Sequence, residues 1–334
     1  MAKNPLKSDP SRTLTVRKHF VADMTRRFKN INKAVHKLLV EDDAFGLGVS
    51  LSPFQVNIEK QVWRFRTDTE KVDSFRRWLQ DQIDQDVLSV NAAGDPWLNT
   101  YIESSYKKGQ LRGYQQVYGS MVDSQERQEL IESQRFGISF AGAEETKRVE
   151  AIYTRAWNDL KGTTDVMRQK LSRNLSLGLA NGLGADAIAR AMTKDIGGLT
   201  RTRANVIARS EVIAAHAEGQ LDAYQALGIE EVQVQAEWLT AGDNRVCPEC
   251  GFLEGATLTI DEARGLIPRH PQCRCAWVPV VKKQQPLPMK KIETSIKREQ
   301  QVKDKDGVFR YRKGRTLKDA IARSSWLGKT KLKR

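Results

Sequence analysis

Six apolar residues near the start of the chain, Phe20, Met24, Phe28, Ile31, Val35 and Leu38, recur in steps of four, four, three, four and three. That spacing lays one apolar face along a helix. Asp9-Pro10 supplies a cap and first-turn pair ahead of it, and Asp42-Asp43 with glycines at 46 and 48 ends it. The opposite face is basic, carrying Arg17, Lys18, Arg26, Arg27, Lys29 and Lys33. The favoured reading docks this helix on the protein's own core with its charges solvated. The alternative lays it on another chain or on nucleic acid.

Residues 49–66 suggest extended chain, ending in the alternating Val62-Trp63-Arg64-Phe65-Arg66. A helix follows from near Asp68 with Val72, Phe75, Trp78, Leu79 and Ile83 buried. Another opens at Asp95-Pro96 with Trp97, Tyr101 and Ile102 inward, and glycines at 109, 113 and 119 thin out its end. Residues 144–160 predict a further helix, after which Gly162 begins a second block. In that block helices are expected over about 164–180, from Asp186 to a break at Gly197-Gly198, and over about 200–227. Residues 232–238 alternate at period two and predict a strand. The aromatic residues read as core rather than as a base-stacking platform. After Val281, Gln284-Gln285-Pro286-Leu287-Pro288 reads as a linker, Asp306-Gly307 as a hairpin turn, and Thr316 as the cap of a short helix. The fold class is α+β, predominantly α-helical.

At 334 residues, 40% hydrophobic and 29% charged, the chain has the balance of a soluble globular protein rather than a disordered one. No apolar run is long enough to span a membrane, and no apolar core follows the first charges, so neither a membrane nor a secretory route is expected. The net charge of +14 is unevenly placed. Residues 1–37 hold 10 Lys and Arg against 2 acids, and residues 282–334 hold 18 against 5. The stretch between them holds 27 basic against 34 acidic residues. Two basic ends on a mildly acidic body would attract a phosphate-rich or acidic partner, the bland alternative being solvated termini.

The four cysteines, Cys247, Cys250, Cys273 and Cys275, all fall within 29 positions, with His270 beside the second pair. Such clustering in a reducing compartment points to metal rather than disulfides. Zinc takes four ligands at tetrahedral corners. A Cys-x-x-Cys knuckle gives two of them, and a second short cluster across a loop gives the others. Five candidates compete for four places: either Cys273 and Cys275 complete the set, or His270 takes one position and otherwise hydrogen-bonds a ligand sulfur. Four protein ligands close the coordination sphere, so one structural Zn2+ per chain is expected. Free buried thiols are the metal-free alternative.

The ordered segments Ile207-Ala208-Arg209-Ser210-Glu211-Val212, Gly228, Trp238, Asp243 through Cys250, Leu253-Glu254-Gly255 and Pro268 through Cys275 resemble the phage Mu F-like domain of minor head proteins, over about residues 200–280. The resemblance implies a head morphogenesis protein in the virion, inside the head near the portal vertex, made in the host cytoplasm. Its partners would be the portal protein, other head components and double-stranded DNA contacted non-specifically, with a part in DNA ejection. No membrane and no small-molecule substrate is implied. The family motif falls on Arg209, Ser210, Glu211 and Asp243, where serine replaces the more usual threonine. The favoured roles are structural: Arg209 and Glu211 tie their helix to the metal loop through ion pairs or backbone contacts, and Asp243 begins the turn into the knuckle. In the basic tail Lys290, Lys291, Arg310, Arg312, Lys313 and Arg315 are the candidate phosphate contacts.

An enzyme is the competing class. Arg, Ser and Glu in one region suggest an ADP-ribosyltransferase, but here they crowd onto one helix instead of separate strands. A metal-dependent nuclease would want a second His or Asn near the metal. A nucleic-acid-binding protein unrelated to virions is a third reading. The expected organisation is a basic amphipathic helix over 1–45 and a mostly helical domain over 46–160. A Mu F-like α+β domain with a zinc knuckle follows over 161–281, and a basic tail over 282–334.

Overall fold

A computed structural model describes residues 9–47, 65–121, 143–227 and 234–281, together with the backbone of 301–303 and 309–311. The chain divides into two compact units. One comprises Lys18–Asn99 and Tyr153–Ala208; the other comprises Met1–Arg17, Thr100–Ile152 and Arg209–Arg334. The boundaries fall inside or at the ends of long helices.

The first unit is helical. The apolar stripe of α1 (Leu14–His36) is the buried one, with Phe20, Met24 and Phe28 fully enclosed, and a π-helical turn, Lys37–Glu41, extends it. Its basic face is partly pinned rather than wholly solvated. Arg27 lies 4.4 Å over the Trp97 ring and donates to Ser89 Oγ at 2.9 Å and to the Asp86 carbonyl. Helix α2 (Asp68–Gln85) starts where Thr67 accepts the Glu70 N–H, and it buries Val72, Phe75, Leu79 and Ile83. The expected extended segment lies almost wholly outside the described residues.

Two predicted breaks do not occur. Residues 143–180 form one helix, α4 (Ala143–Ala180), and residues 185–227 form another, α5 (Ala185–Leu227). Gly162, Gly197 and Gly198 sit inside them. A helical glycine costs about 1 kcal/mol against alanine, too little to stop a helix anchored on both sides. Leu160, Met167, Leu171 and Leu175 anchor α4, and Ile188, Met192, Ile196 and Ala204 anchor α5. The threonines that follow join the helix instead of capping a new one: Thr163 Oγ1 donates to the Asp159 carbonyl and Thr200 Oγ1 to that of Ile196. Gly182, at φ +63°, does end α4, as its position after Asn181 predicts.

The second unit is built around the C-terminal half of α5, where every residue from 210 to 224 is buried. A helix enclosed on all sides belongs at the centre of a core. It is crossed by α3 (Asn99–Met121), which approaches through Gly109 and Gly113. A Cβ on Gly109 would sit 2.1 Å from the His216 carbonyl oxygen, and one on Gly113 would sit 2.6 Å from Ala223 Cβ. These glycines were expected to weaken the end of α3; instead they let two backbones touch. An antiparallel sheet of order β2-β1-β3, from β1 (Val234–Leu239), β2 (Thr257–Leu258) and β3 (Ala276–Val281), shares this core. Trp238 pairs in register with Trp277, their rings edge to face at 5.3 Å. Between β1 and β2 runs a short helix α6 (Pro248–Gly251), and after β2 comes α7 (Ile260–Ala263), closed by a Thr259–Glu262 capping box. In the tail, β4 (Gln301–Lys303) pairs antiparallel with β5 (Phe309–Tyr311), the pairing expected around Asp306-Gly307. Among the described residues no helix is long and apolar enough to cross a membrane.

Candidate metal centre

Cys247 caps α6: its Sγ accepts the Cys250 N–H at 3.3 Å, and Pro248 fills the first turn. This knuckle turns both sulfurs toward one imidazole. His270 Nε2 lies 3.2 Å from Cys247 Sγ and 3.1 Å from Cys250 Sγ. The other ring nitrogen, Nδ1, lies 2.7 Å from the Pro271 carbonyl, which can only accept. Nδ1 therefore carries the proton, and in the neutral ring Nε2 offers its lone pair to the side where the sulfurs are. A sequence cannot reveal that tautomer.

Cys250, Cys273 and Cys275 form a second, fully buried triad that shares Cys250 with the first; in each triad the ligand atoms lie within 4.8 Å of one another. A turn with Gln272 at φ +69°, closed by Cys273 N–H to the His270 carbonyl, joins the two groups. The crowded sulfurs hold protons unequally. Hydrogen bonding with Cys273 and then Cys275, together with burial, pushes the Cys250 thiol far up. The hydrogen bonds Cys273 receives from Cys250 and Cys275 pull its own value down. A cavity of about 20 Å³ is lined by Cys247, Cys250, His270 and Cys275 together with Arg245 and Arg274. All five candidates thus come together, and the cluster has the donors and the room to hold one metal ion.

Asp243 closes the centre from outside. Its carboxylate accepts the Arg245 N–H at 3.0 Å, an Asx turn leading into the knuckle as its position predicts. It also accepts both arms of the Arg274 guanidinium, at 2.7 and 2.5 Å. Arg274 sits between Cys273 and Cys275, so this fork joins the two halves of the ligand loop. The hydrogen bonds from Arg274 and then Arg245 hold the Asp243 carboxyl well below the usual range.

Ser210 and Glu211 lie on α5 with no exposed surface. Arg209, one position earlier, is half-buried and makes no ion pair among the described residues; its charged neighbours are chiefly Arg17 and Arg274. Ion pairs between this helix and the segment leading into the metal loop are made by residues that sequence reasoning passed over. Asp222, almost wholly buried, accepts from Tyr106 Oη at 2.5 Å, from Arg148 at 2.6 Å and from Arg264 at 2.8 Å. Glu218, one turn before it, takes Arg264 at 3.0 Å and the Gly265 N–H at 2.9 Å. The one available signal was two acids four apart, Glu218 and Asp222, on an alanine-rich helix. Of the tail cations, Arg310 falls on β5, while Lys290, Lys291, Arg312, Lys313 and Arg315 lie outside the described residues.

Residues 169–278 match the family model for phage Mu protein F like protein. The matched span runs from the second half of α4 through α5 and the whole Cys/His cluster into β3, beginning earlier than the motifs alone indicate. No curated protein and no solved structure matches the chain. The match takes in the helix that forms the core of the second unit and the ligand loop folded against it, and it supports a phage Mu F-like head morphogenesis protein.

Proposed function

We propose that this chain is a minor head protein that acts in head morphogenesis near the portal, contacts packaged DNA non-specifically through its basic ends, and takes part in DNA ejection. Its Mu F-like region holds one structural zinc ion. The observation that carries the reading is the Cys/His cluster inside the family span: Cys247, Cys250 and His270 form one triad and Cys250, Cys273 and Cys275 another, with the ligand atoms of each within 4.8 Å of one another. Cys247, Cys250 and His270 would hold the ion together with Cys275, the fourth ligand side chain lining the small cavity. At Zn–S and Zn–N distances of about 2.3 and 2.0 Å, a tetrahedral site separates sulfur from nitrogen by roughly 3.6 Å. The gaps of 3.1 and 3.2 Å need to open by only a few tenths of an ångström. Zinc bound there would supply a cross-link between α6 and the loop before β3. The Asp243–Arg274 fork and the Pro271 carbonyl orient the loop and the imidazole for it.

The burial of Ser210 and Glu211 supports a scaffold role over a catalytic one, because a transferase needs those groups within reach of substrate. Two measurements test the proposal. Purified protein should contain one zinc per chain, lost together with thermal stability in Cys247→Ser. Purified virions should contain the chain in a few copies. Protein purified under reducing conditions without chelator that carried no metal would sink the zinc assignment. Absence from virions would sink the head role.

A further inference from the structure

In the first unit, α1 and α5 together line a groove of about 420 Å³. Each helix gives it one face: Val21, Phe28 and Asn32 recur at helical spacing on α1, and Thr193, Ile196 and Gly197 do so on α5. The two helices are tied where Thr193 Oγ1 donates to Asn32 Oδ1 at 2.9 Å. Phe28 and Ile196 are buried and make an apolar floor. A Cβ on Gly197 would meet nothing within 4 Å, so the glycine leaves the space beside that floor open. Lys29 from α1 and Arg201 from α5 line the same groove with exposed side chains. Neither makes an ion pair among the described residues, and none of the residues lining the groove is a carboxylate.

We propose that this groove receives an acidic, amphipathic segment of a partner protein, an apolar side chain seated on Phe28, Ile196 and Gly197 while neighbouring carboxylates meet Lys29 and Arg201. The charge argument comes first. Two cations from different helices share one groove with no acid in it, so their field is left for a ligand to complement. The size of the groove falls within the range of about 300–1,000 Å³ in which proteins hold organic ligands, and an amphipathic helix laid between two others is a common way to fill one. The apolar floor decides between anions. A nucleic-acid duplex would neutralise the two cations through its phosphates, yet its outer backbone offers no apolar group to cover Phe28 and Ile196. An acidic segment with a leucine or phenylalanine among its glutamates does both. The groove is thereby distinct from the basic tail, which attracts any polyanion without asking for an apolar partner, and it makes no use of the metal centre.

The test uses the full chain and a labelled synthetic helix that carries leucines on one face flanked by glutamates, with a companion probe in which alanine replaces each leucine. Fluorescence anisotropy should show the leucine probe binding the wild type more tightly than the alanine probe. Gly197→Leu keeps every charge and puts a side chain into the groove. It should weaken the leucine probe about tenfold or more, the size of one lost apolar burial, and leave the alanine probe unchanged. Its melting temperature should hold or rise, since leucine is the better helix former. Lys29→Gln and Arg201→Gln, both at exposed positions, should each weaken the leucine probe about threefold, as loss of an exposed ion pair does. These two variants decide alone if Gly197→Leu melts lower than wild type. A leucine probe that fails to bind the wild type, or binds all three variants as it binds the wild type, would overturn the proposal. If a mixed-sequence DNA duplex loses affinity in Lys29→Gln and Arg201→Gln while the leucine probe does not, the proposal falls and the two cations serve nucleic acid instead.

Discussion

At the scale of single residues, the cluster divides its five donors into unequal roles. Cys275 lines the small cavity with Cys247, Cys250 and His270, whereas Cys273 does not. Cys275→Ser should therefore abolish zinc binding, while Cys273→Ser should keep close to one zinc per chain at some cost in affinity, read by elemental analysis after dialysis. The five candidates were legible from their spacing alone; the choice among them was not, because it depends on a tautomer and on which sulfurs share a cavity. His216 was equally opaque. It reads as an isolated histidine on a helix, yet it is wholly buried, and burial, with Arg112 next in weight, lowers its pKa from 6.5 to about 3. As pH falls below 6.5 the unfolded chain takes up a proton that folded His216 refuses until about pH 3. Stability should therefore be flat above pH 6.5 and fall by about 1.4 kcal/mol per pH unit below it. Urea melts at pH 7, 6 and 5 should show that slope in the wild type and a shallower one in His216→Gln.

At the scale of elements, the glycines separate what a sequence can and cannot say. The apolar stripe of α1 and the buried faces of α2 were legible because period and packing agree. The same sequence gives no sign of whether a helical glycine faces solvent or another backbone. Gly162 and Gly197 have open space where a Cβ would go, and both were misread as breaks. Gly109 meets the His216 backbone, and Gly219 meets the Tyr106 carbonyl at 2.2 Å. Alanine should act with opposite sign in the two classes. Gly162→Ala should raise stability by about 0.5–1 kcal/mol through helix propensity and the unfolded chain's lost freedom. Gly109→Ala forces α3 away from α5 and should cost roughly 1–3 kcal/mol, as overpacking does. Thermal melts of the two variants beside wild type decide it; equal shifts would mean the close helix crossing is not maintained in solution. The Asp222 network belongs to this scale too. Its partners come from positions 106, 148 and 264, and only the packing of α3, α4 and the metal loop around α5 makes them neighbours.

At the scale of the whole molecule, the two basic ends and the acidic stretch between them set what the chain can approach. A net charge of +13 over residues 282–334 gives long-range attraction to any polyanion with no geometry required. Each phosphate neutralised contributes about 0.9 to the slope of log affinity against log salt whether the cation is ordered or not. Replacing Lys290, Lys291, Arg310, Arg312, Lys313 and Arg315 together by glutamine removes six tail charges. If all six contact phosphate, the slope should fall by about 5, and by less in proportion as fewer do. The melting temperature and zinc content should stay at wild-type values, since none of these residues belongs to the Cys/His cluster. A slope unchanged by the six substitutions would show that the tail meets protein instead of DNA, and the search for its acidic partner would then move to the portal and the other head components.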